Sequence, residues 1–234
     1  MEILKFRLKG KTAFFKNPEV NTYYYFTYGN IHRVALLGLF GAILGYQGYN
    51  AQQEVYPEFY EKLKDLKAAV VPAAEYGCFE KKVQTFNNSV GYASQETGGN
   101  LIVKEQWLEN PEWQVYVLIQ DEESRRLADA VMAHHCVYMP YLGKNDHPAD
   151  LLEAEIITAE PESPIGGPVS SLIPESMAEF DFGKMTFKYT EYLPVKLKET
   201  TNLYETEKMI LTDAWVKRCE EPVYRDNEYR LMFF

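Results

Sequence analysis

From Val34 to Tyr46 the chain carries no charge, and Val34, Leu37, Gly38, Gly41 and Leu44 recur at i, i+3, i+4, i+7 and i+10, the spacing of a helix. A helix that is apolar on every side is buried, and this run falls well short of the roughly 20 apolar residues that a membrane span requires. Asn30 is the expected N-cap and Gly45 the expected C′ residue, giving about four turns. Gly38, Gly41 and Ala42 sacrifice helix propensity, each Gly by about 1 kcal/mol against Ala, which predicts that another element packs very close to them. His32 and Arg33 place basic groups on the first turn, where the helix dipole is already positive. Such a terminus suits a phosphate; the simpler alternative is that Arg33 pairs with a carboxylate.

Other stretches alternate. Glu2–Lys9 sets Leu4, Phe6 and Leu8 against Lys5, Arg7 and Lys9, predicting a strand with one face in the core, ended by Gly10. Ala68–Ala74, Trp113–Gln120 and Leu151–Glu160 read as three further strands. Glu58–Lys67 reads as a short helix with Phe59 and Leu63 inward. Asp121–His134 reads as an amphipathic helix with Leu127, Ala130 and Val131 on its apolar face and an acidic first turn that suits the dipole. The resulting order, β-α-β-β-α-β, is the split arrangement of ferredoxin-like and RNA-recognition folds, so an α+β chain is expected. Residues 77–111, polar and holding Gly91-Tyr92 and Gly98-Gly99-Asn100, predict a long protruding hairpin, because a structureless loop of that length is unusual. A Pro/Gly-rich joint, Pro161–Pro174, divides a core of residues 1–160 from a β-rich C-terminal segment, residues 161–234. There Phe180–Leu197 reads as a hairpin and Tyr204–Val216 as a further strand.

The 234 residues are enough for one large domain or two small ones. Aromatic content of 15%, with 18 tyrosines, suits stacking, extensive interfaces or a β-rich core. Cys78, Cys136 and Cys219 are odd in number and lack C-x-x-C spacing, which predicts reduced thiols. No long apolar region precedes a small-residue cleavage site in the first residues, so no signal peptide and a cytoplasmic location are expected. The net charge of −10 argues against a general nucleic-acid coat. Its distribution is uneven: residues 1–35 hold six basic residues against Glu2 and Glu19, leaving −14 on the remainder. A basic amino-terminal surface on an acidic body can hold a short polyanion at one face while the rest meets protein or solvent.

The candidate chemistry follows from these stretches. Lys11–Asn30, read as an irregular loop, mixes Phe14, Phe15, the Tyr23–Phe26 run and Tyr28 with Lys11 and Lys16. Rings for base stacking and amines for phosphates serve single-stranded RNA recognition, although the same rings also suit plain packing. His134, His135, Tyr138, Lys144 and His147 are residue types capable of acid–base work on an RNA 2′-hydroxyl. Adjacent histidines at a helix end point in different directions, so no catalytic residue is assigned. His134, His135, Cys136 and His147 lack zinc-site spacing, and no Walker-type phosphate loop occurs, so neither metal nor cofactor is expected.

Three segments carry a family resemblance: L-K-F-R-L-K-G-K-T-A-F-F-K, L-L-G-L-F-G-A-I-L-G-Y and Y-M-P-Y-L-G-K-N-D-H-P-A. Together they resemble the CRISPR-associated protein 5 family, most closely its I-B-type members, over nearly the whole chain. The resemblance implies a ferredoxin-like RNA-recognition core, a thumb hairpin and a variable C-terminal β region. It further implies a CRISPR antiviral role as a non-catalytic Cascade subunit that caps the 5′ handle of the crRNA and contacts the backbone and large subunits, meeting target DNA only through the complex. One branch of the family cuts repeat RNA without metal, which is the alternative activity. A third reading is a structural subunit whose aromatic residues and Phe233-Phe234 make protein interfaces. RNA contacts would come from Lys9, Lys11, Phe14, Lys16, Asn30, His32 and Arg33 at the chain start and helix front. Lys81, Lys82, Asn87 and Asn88 would supply them on the arm, and Tyr141, Lys144, Asn145 and His147 in the loop.

Overall fold

A computed structural model describes residues 1–20, 23–91, 95–163 and 165–234. Asn21 and Thr22 of the aromatic loop, Tyr92, Ala93 and Ser94 of the expected hairpin tip, and Pro164 of the expected joint lie outside the described residues. In chain order the longer strands are β1 (Glu2–Lys9), β2 (Ala68–Pro72), β3 (Lys81–Asn87), β4 (Ile102–Glu109), β5 (Glu112–Leu118), β6 (Asp150–Thr158), β7 (Ala178–Asp181), β8 (Lys188–Leu197), β9 (Tyr204–Thr212) and β10 (Trp215–Cys219). The α-helices are α1 (Arg33–Leu44), α2 (Glu58–Leu63) and α3 (Glu122–Met132). The fold is mixed α/β and rich in strands.

Four strands form an antiparallel sheet in the order β2-β5-β1-β6. Leu4 lies opposite Val117 and Leu8 opposite Trp113, so the alternating apolar residues of both strands reach one buried face, where they join a core with α1 and α3. The other face is also covered at one end: Ile3, Tyr116 and Leu118 pack with Tyr224, Leu231 and Phe233.

This second layer changes the expected basic surface. Lys5 Nζ lies 3.0 Å from Asp226 and 3.2 Å from Glu155, and Arg7 pairs with Glu112 and Glu153. Two of the outward cations of β1 are therefore matched by carboxylates of this same chain. Burial pushes the Asp226 carboxyl up, but donation from Lys5, the Asn227 amide and Tyr116 holds it below its usual range.

His32, not Asn30, caps α1, its Nδ1 accepting from the Ala35 amide at 3.2 Å. Gly45 closes the helix at φ 83, the left-handed position that favours glycine. Asn30 is consumed by a buried network: it donates to the Gly77 carbonyl and the Tyr189 hydroxyl and accepts from Trp113 Nε1. The expected close approach occurs at Gly41, where an added Cβ would stand 2.5 Å from the Phe59 Cβ of α2. It does not occur at Gly38, where the nearest atom would be 3.9 Å away. α3 begins with a reciprocal cap between Asp121 and Ser124, in line with its polar start.

β3 and β4 form an antiparallel hairpin from Lys81 opposite Leu108 to Asn87 opposite Ile102. The far edge of β4 takes Thr12–Ala13 antiparallel and Tyr24–Tyr25 parallel, so the aromatic segment expected to be irregular is partly strand. The C-terminal pairing also departs from expectation. β7 pairs with β10 and β8 with β9, instead of Phe180–Leu197 closing on itself. The Asp213 carboxylate is the local reason. It accepts from the Thr186 and Phe187 amides, anchoring the start of β8 at the turn that ends β9. One core spans residue 160, since Leu172, Leu193, Val195, Leu197, Met209 and Leu211 pack in the same cluster as Leu4 and Phe40. Among the described residues no helix is long and apolar enough to cross a membrane.

Candidate nucleic-acid interface

A groove of about 420 Å³ runs along α1. Its floor is Ala35, Gly38, Leu39 and Ala42, spaced to share one side of the helix. Its walls are aromatic: Phe15, Tyr46, Tyr49, Phe59, Tyr138, Tyr141 and Tyr204, with Lys16 and Gln47 adding polar atoms. Arg126 donates to the Tyr46 hydroxyl at 2.6 Å, and that hydroxyl donates to Glu123. Burial, reinforced by Glu123, pushes the Tyr46 phenol up to about 12. Burial also raises Tyr49 and Tyr204. These three phenols are thus neutral at physiological pH and present no anion to a nucleic acid. Lys16 lies 4.2 Å from the Tyr25 ring centroid, which holds its ammonium beside the groove.

His32 borders the groove with its ring edge-on to Phe15, Tyr28 and Tyr204. It is only 3% exposed, and burial lowers its pKa to about 3, so it is neutral and makes no cationic contact with phosphate. Arg33 is held by main-chain oxygens, with the Asp65 carboxylate near enough to favour its charge against burial. Its guanidinium donates to the carbonyls of Lys64, Leu66 and Phe234, and so supplies donors that the chain leaving α2 lacks.

The remaining residues singled out in the sequence lie apart from the groove or are already engaged. Lys9 and Lys11 stand at and just beyond the end of β1, and Phe14 is buried. On the hairpin, Lys81 is exposed, Lys82 pairs with Glu109 at 3.0 Å, Asn87 donates to Asn100, and the Asn88 amide bonds Leu101. Lys144 lies 3.3 Å from both Glu105 and Asp146. His147, 1% exposed, has Nδ1 2.6 Å from Thr12 Oγ1 and sits edge-on to Trp107. Burial and then Lys144 lower its pKa, so it is not a free contact for a nucleotide. Asn145 is exposed. The loop that carries these residues is pinned at Gly143, where φ is 86 and a Cβ would fall 2.1 Å from the Phe14 carbonyl oxygen. That anchorage leaves Tyr141 at the groove.

Lys16, His32 and Tyr141 are therefore brought together, and the other expected RNA contacts are not. Tyr46, Tyr49 and Tyr204 are not among the residues the sequence singles out, and Tyr138, noted there for acid–base chemistry, is not among its expected RNA contacts. The available signal was the small-residue spacing Ala35, Gly38, Ala42, followed four residues later by Tyr46. His134, His135 and Cys136 border a different cavity of about 210 Å³ beside Ile43 and Asp150. Among the described residues no three His, Cys, Asp or Glu side chains are grouped so that they could hold a metal ion.

No protein-family model matches the chain, and no curated protein matches it. Solved structures do. One is a chain of a "CRISPR RNA-guided surveillance complex", 16% identical, covering 92% of this chain and 91% of that one with a TM-score of 0.57. Another is a CRISPR protein from Archaeoglobus fulgidus, 10% identical, covering 99% and 98% with a TM-score of 0.54. Along nearly its whole length this chain is similar in fold to CRISPR-associated proteins of known structure.

Proposed function

We propose that this chain is a non-catalytic RNA-binding subunit of a CRISPR RNA-guided complex, of the CRISPR-associated protein 5 kind and resembling its I-B-type members. In this reading it holds the 5′ handle of the crRNA and meets the backbone and large subunits with its acidic remainder. The observation that carries the reading is the tyrosine-walled groove beside Lys16, on a fold shared with a chain of an RNA-guided surveillance complex. Neutral rings offer stacking surfaces to unpaired bases, and the nearby ammonium favours the backbone that links them. The strand order β2-β5-β1-β6, with α1 and the short α2 between β1 and β2 and α3 between β5 and β6, supports a ferredoxin-like core. The non-catalytic assignment is supported by chemistry at the groove. Its one histidine is a very weak base, and its buried phenols are poor acids at neutral pH.

The test is a salt titration of binding to 5′-labelled repeat RNA, each sample also run on a denaturing gel. Intact RNA with affinity that falls steeply with salt is expected, and Lys16→Ala is expected to reduce the log–log slope by about 0.7. Binding that ignores salt would favour a purely structural subunit. Specific cutting without metal would replace the proposal with a metal-independent endoribonuclease.

A further inference from the structure

The His32 ring carries more information than its burial. Nδ1 accepts the Ala35 amide, which fixes the neutral tautomer with its proton on Nε2. Nε2 makes no hydrogen bond to any described residue, and it is not one of the fully buried unpartnered atoms, which among the described residues are Arg7 Nε, His147 Nε2 and Asn202 Oδ1, so the small open part of a residue only 3% exposed includes this nitrogen. A ring N–H that keeps an opening in an otherwise buried residue is a donor available to a ligand. The ring stands between Phe15 and Tyr204, both walls of the groove, and borders the groove itself.

We propose that the groove along α1 is a slot for a single nucleobase of the bound RNA, with tyrosine rings against the base and His32 Nε2–H donating to an acceptor on its edge. The inference rests on the RNA-binding reading and adds a residue that selects what enters. A base matches the site because it combines apolar faces with a polar edge, as the slot combines aromatic walls with the His32 N–H at its border. A phosphate matches poorly. It would lose its hydration among neutral rings, and the cation of the groove lining is Lys16, held beside Tyr25. Gly38 makes the floor low: an added Cβ meets only a Phe59 ring carbon at 3.9 Å, so a larger side chain there projects into the slot without displacing the fold.

Gly38→Leu therefore plugs the slot. The full chain, wild type and variant, is titrated with repeat RNA and with a series in which each nucleotide in turn is abasic. In the wild type one abasic position is expected to weaken binding about tenfold, in the range of one stacked base. Gly38→Leu is expected to lose about the same with intact RNA, and the same abasic position then costs nothing further. His32→Asn, which keeps an N-cap acceptor but removes the ring donor, gives a second variant with the same expected position. In ¹⁵N-imidazole spectra the His32 Nε2–H signal should move on adding intact RNA and stay still with RNA abasic at that position. The slot is overturned if the wild type binds RNA tightly while both variants bind as well and the His32 signal is unmoved; the RNA reading then survives. No RNA binding by the wild type overturns both. A His32 signal that moves only on adding a neighbouring subunit makes the groove a protein-docking site and overturns the slot alone.

Discussion

On the side of α1 that meets α2, a Cβ at Gly41 would stand 2.5 Å from the Phe59 Cβ, whereas three residues earlier a Cβ at Gly38 would find nothing nearer than 3.9 Å. The same residue type gives up the same helix propensity at both positions. At Gly41 the return is contact between two helices; at Gly38 the space stays open and becomes the floor of the groove. Small residues in a buried helix thus mark two different things, and only the neighbour across the gap tells them apart.

Phe59 belongs to both sides, packing on Gly41 and bordering the groove, so Phe59→Ala is the most severe challenge to the comparison. It should cost about 3–5 kcal/mol in urea unfolding. A loss below about 1 kcal/mol would mean that the α1–α2 contact is not where stability resides. Gly41→Val should cost about 1–3 kcal/mol by forcing Phe59 away. A third measurement concerns the histidine at the groove end of α1. His32 titrates near 6.5 in an unfolded chain and at about 3 when folded. Below pH 6.5 the unfolded state takes up a proton that the folded state refuses. Stability should therefore fall as pH drops from 6.5 towards 3, by at most about 1.4 kcal/mol per pH unit from this group, and be indifferent to it above 6.5. His147, also lowered, acts in the same direction. Unfolding at pH 7, 6 and 5 should show a shallower slope in His32→Asn. The smallest effect is expected at Gly38→Ala, a gain of up to about 1 kcal/mol from helix propensity alone. A loss there would mean that the groove side is packed after all.

The strands of the main sheet were legible because one apolar face imposes a period of two, and α1 was legible because nothing polar interrupts it. What stayed hidden depends on residues distant in sequence. The cap of α1 could have been Asn30 or His32; Trp113, Gly77 and Tyr189 decide by occupying Asn30. Arg33 looked like a free cation because the carbonyls it serves come from the chain after α2 and from Phe234. Lys5 looked like part of a basic face because Asp226 lies more than two hundred residues away. The candidate site was half visible for the same reason. Lys16 and Tyr141 stood out locally, while Tyr49, Tyr138 and Tyr204 reach the groove only through the fold.

The hairpin has a mechanical consequence. β4 runs into β5 through Asn110 and Pro111, and that junction is tied down: the Gly10 amide bonds the Pro111 carbonyl at 3.1 Å, and the Asn110 amide bonds the Lys11 carbonyl at 2.9 Å. Glu109 adds a bond to the Glu80 carbonyl and an ion pair with Lys82, and Glu105 is tied to Lys144. The arm is therefore clamped at its root like a cantilever. A load at the outer end bends it along its length, and the bending moment is greatest at the clamped root, which continues directly into a central strand of the main sheet.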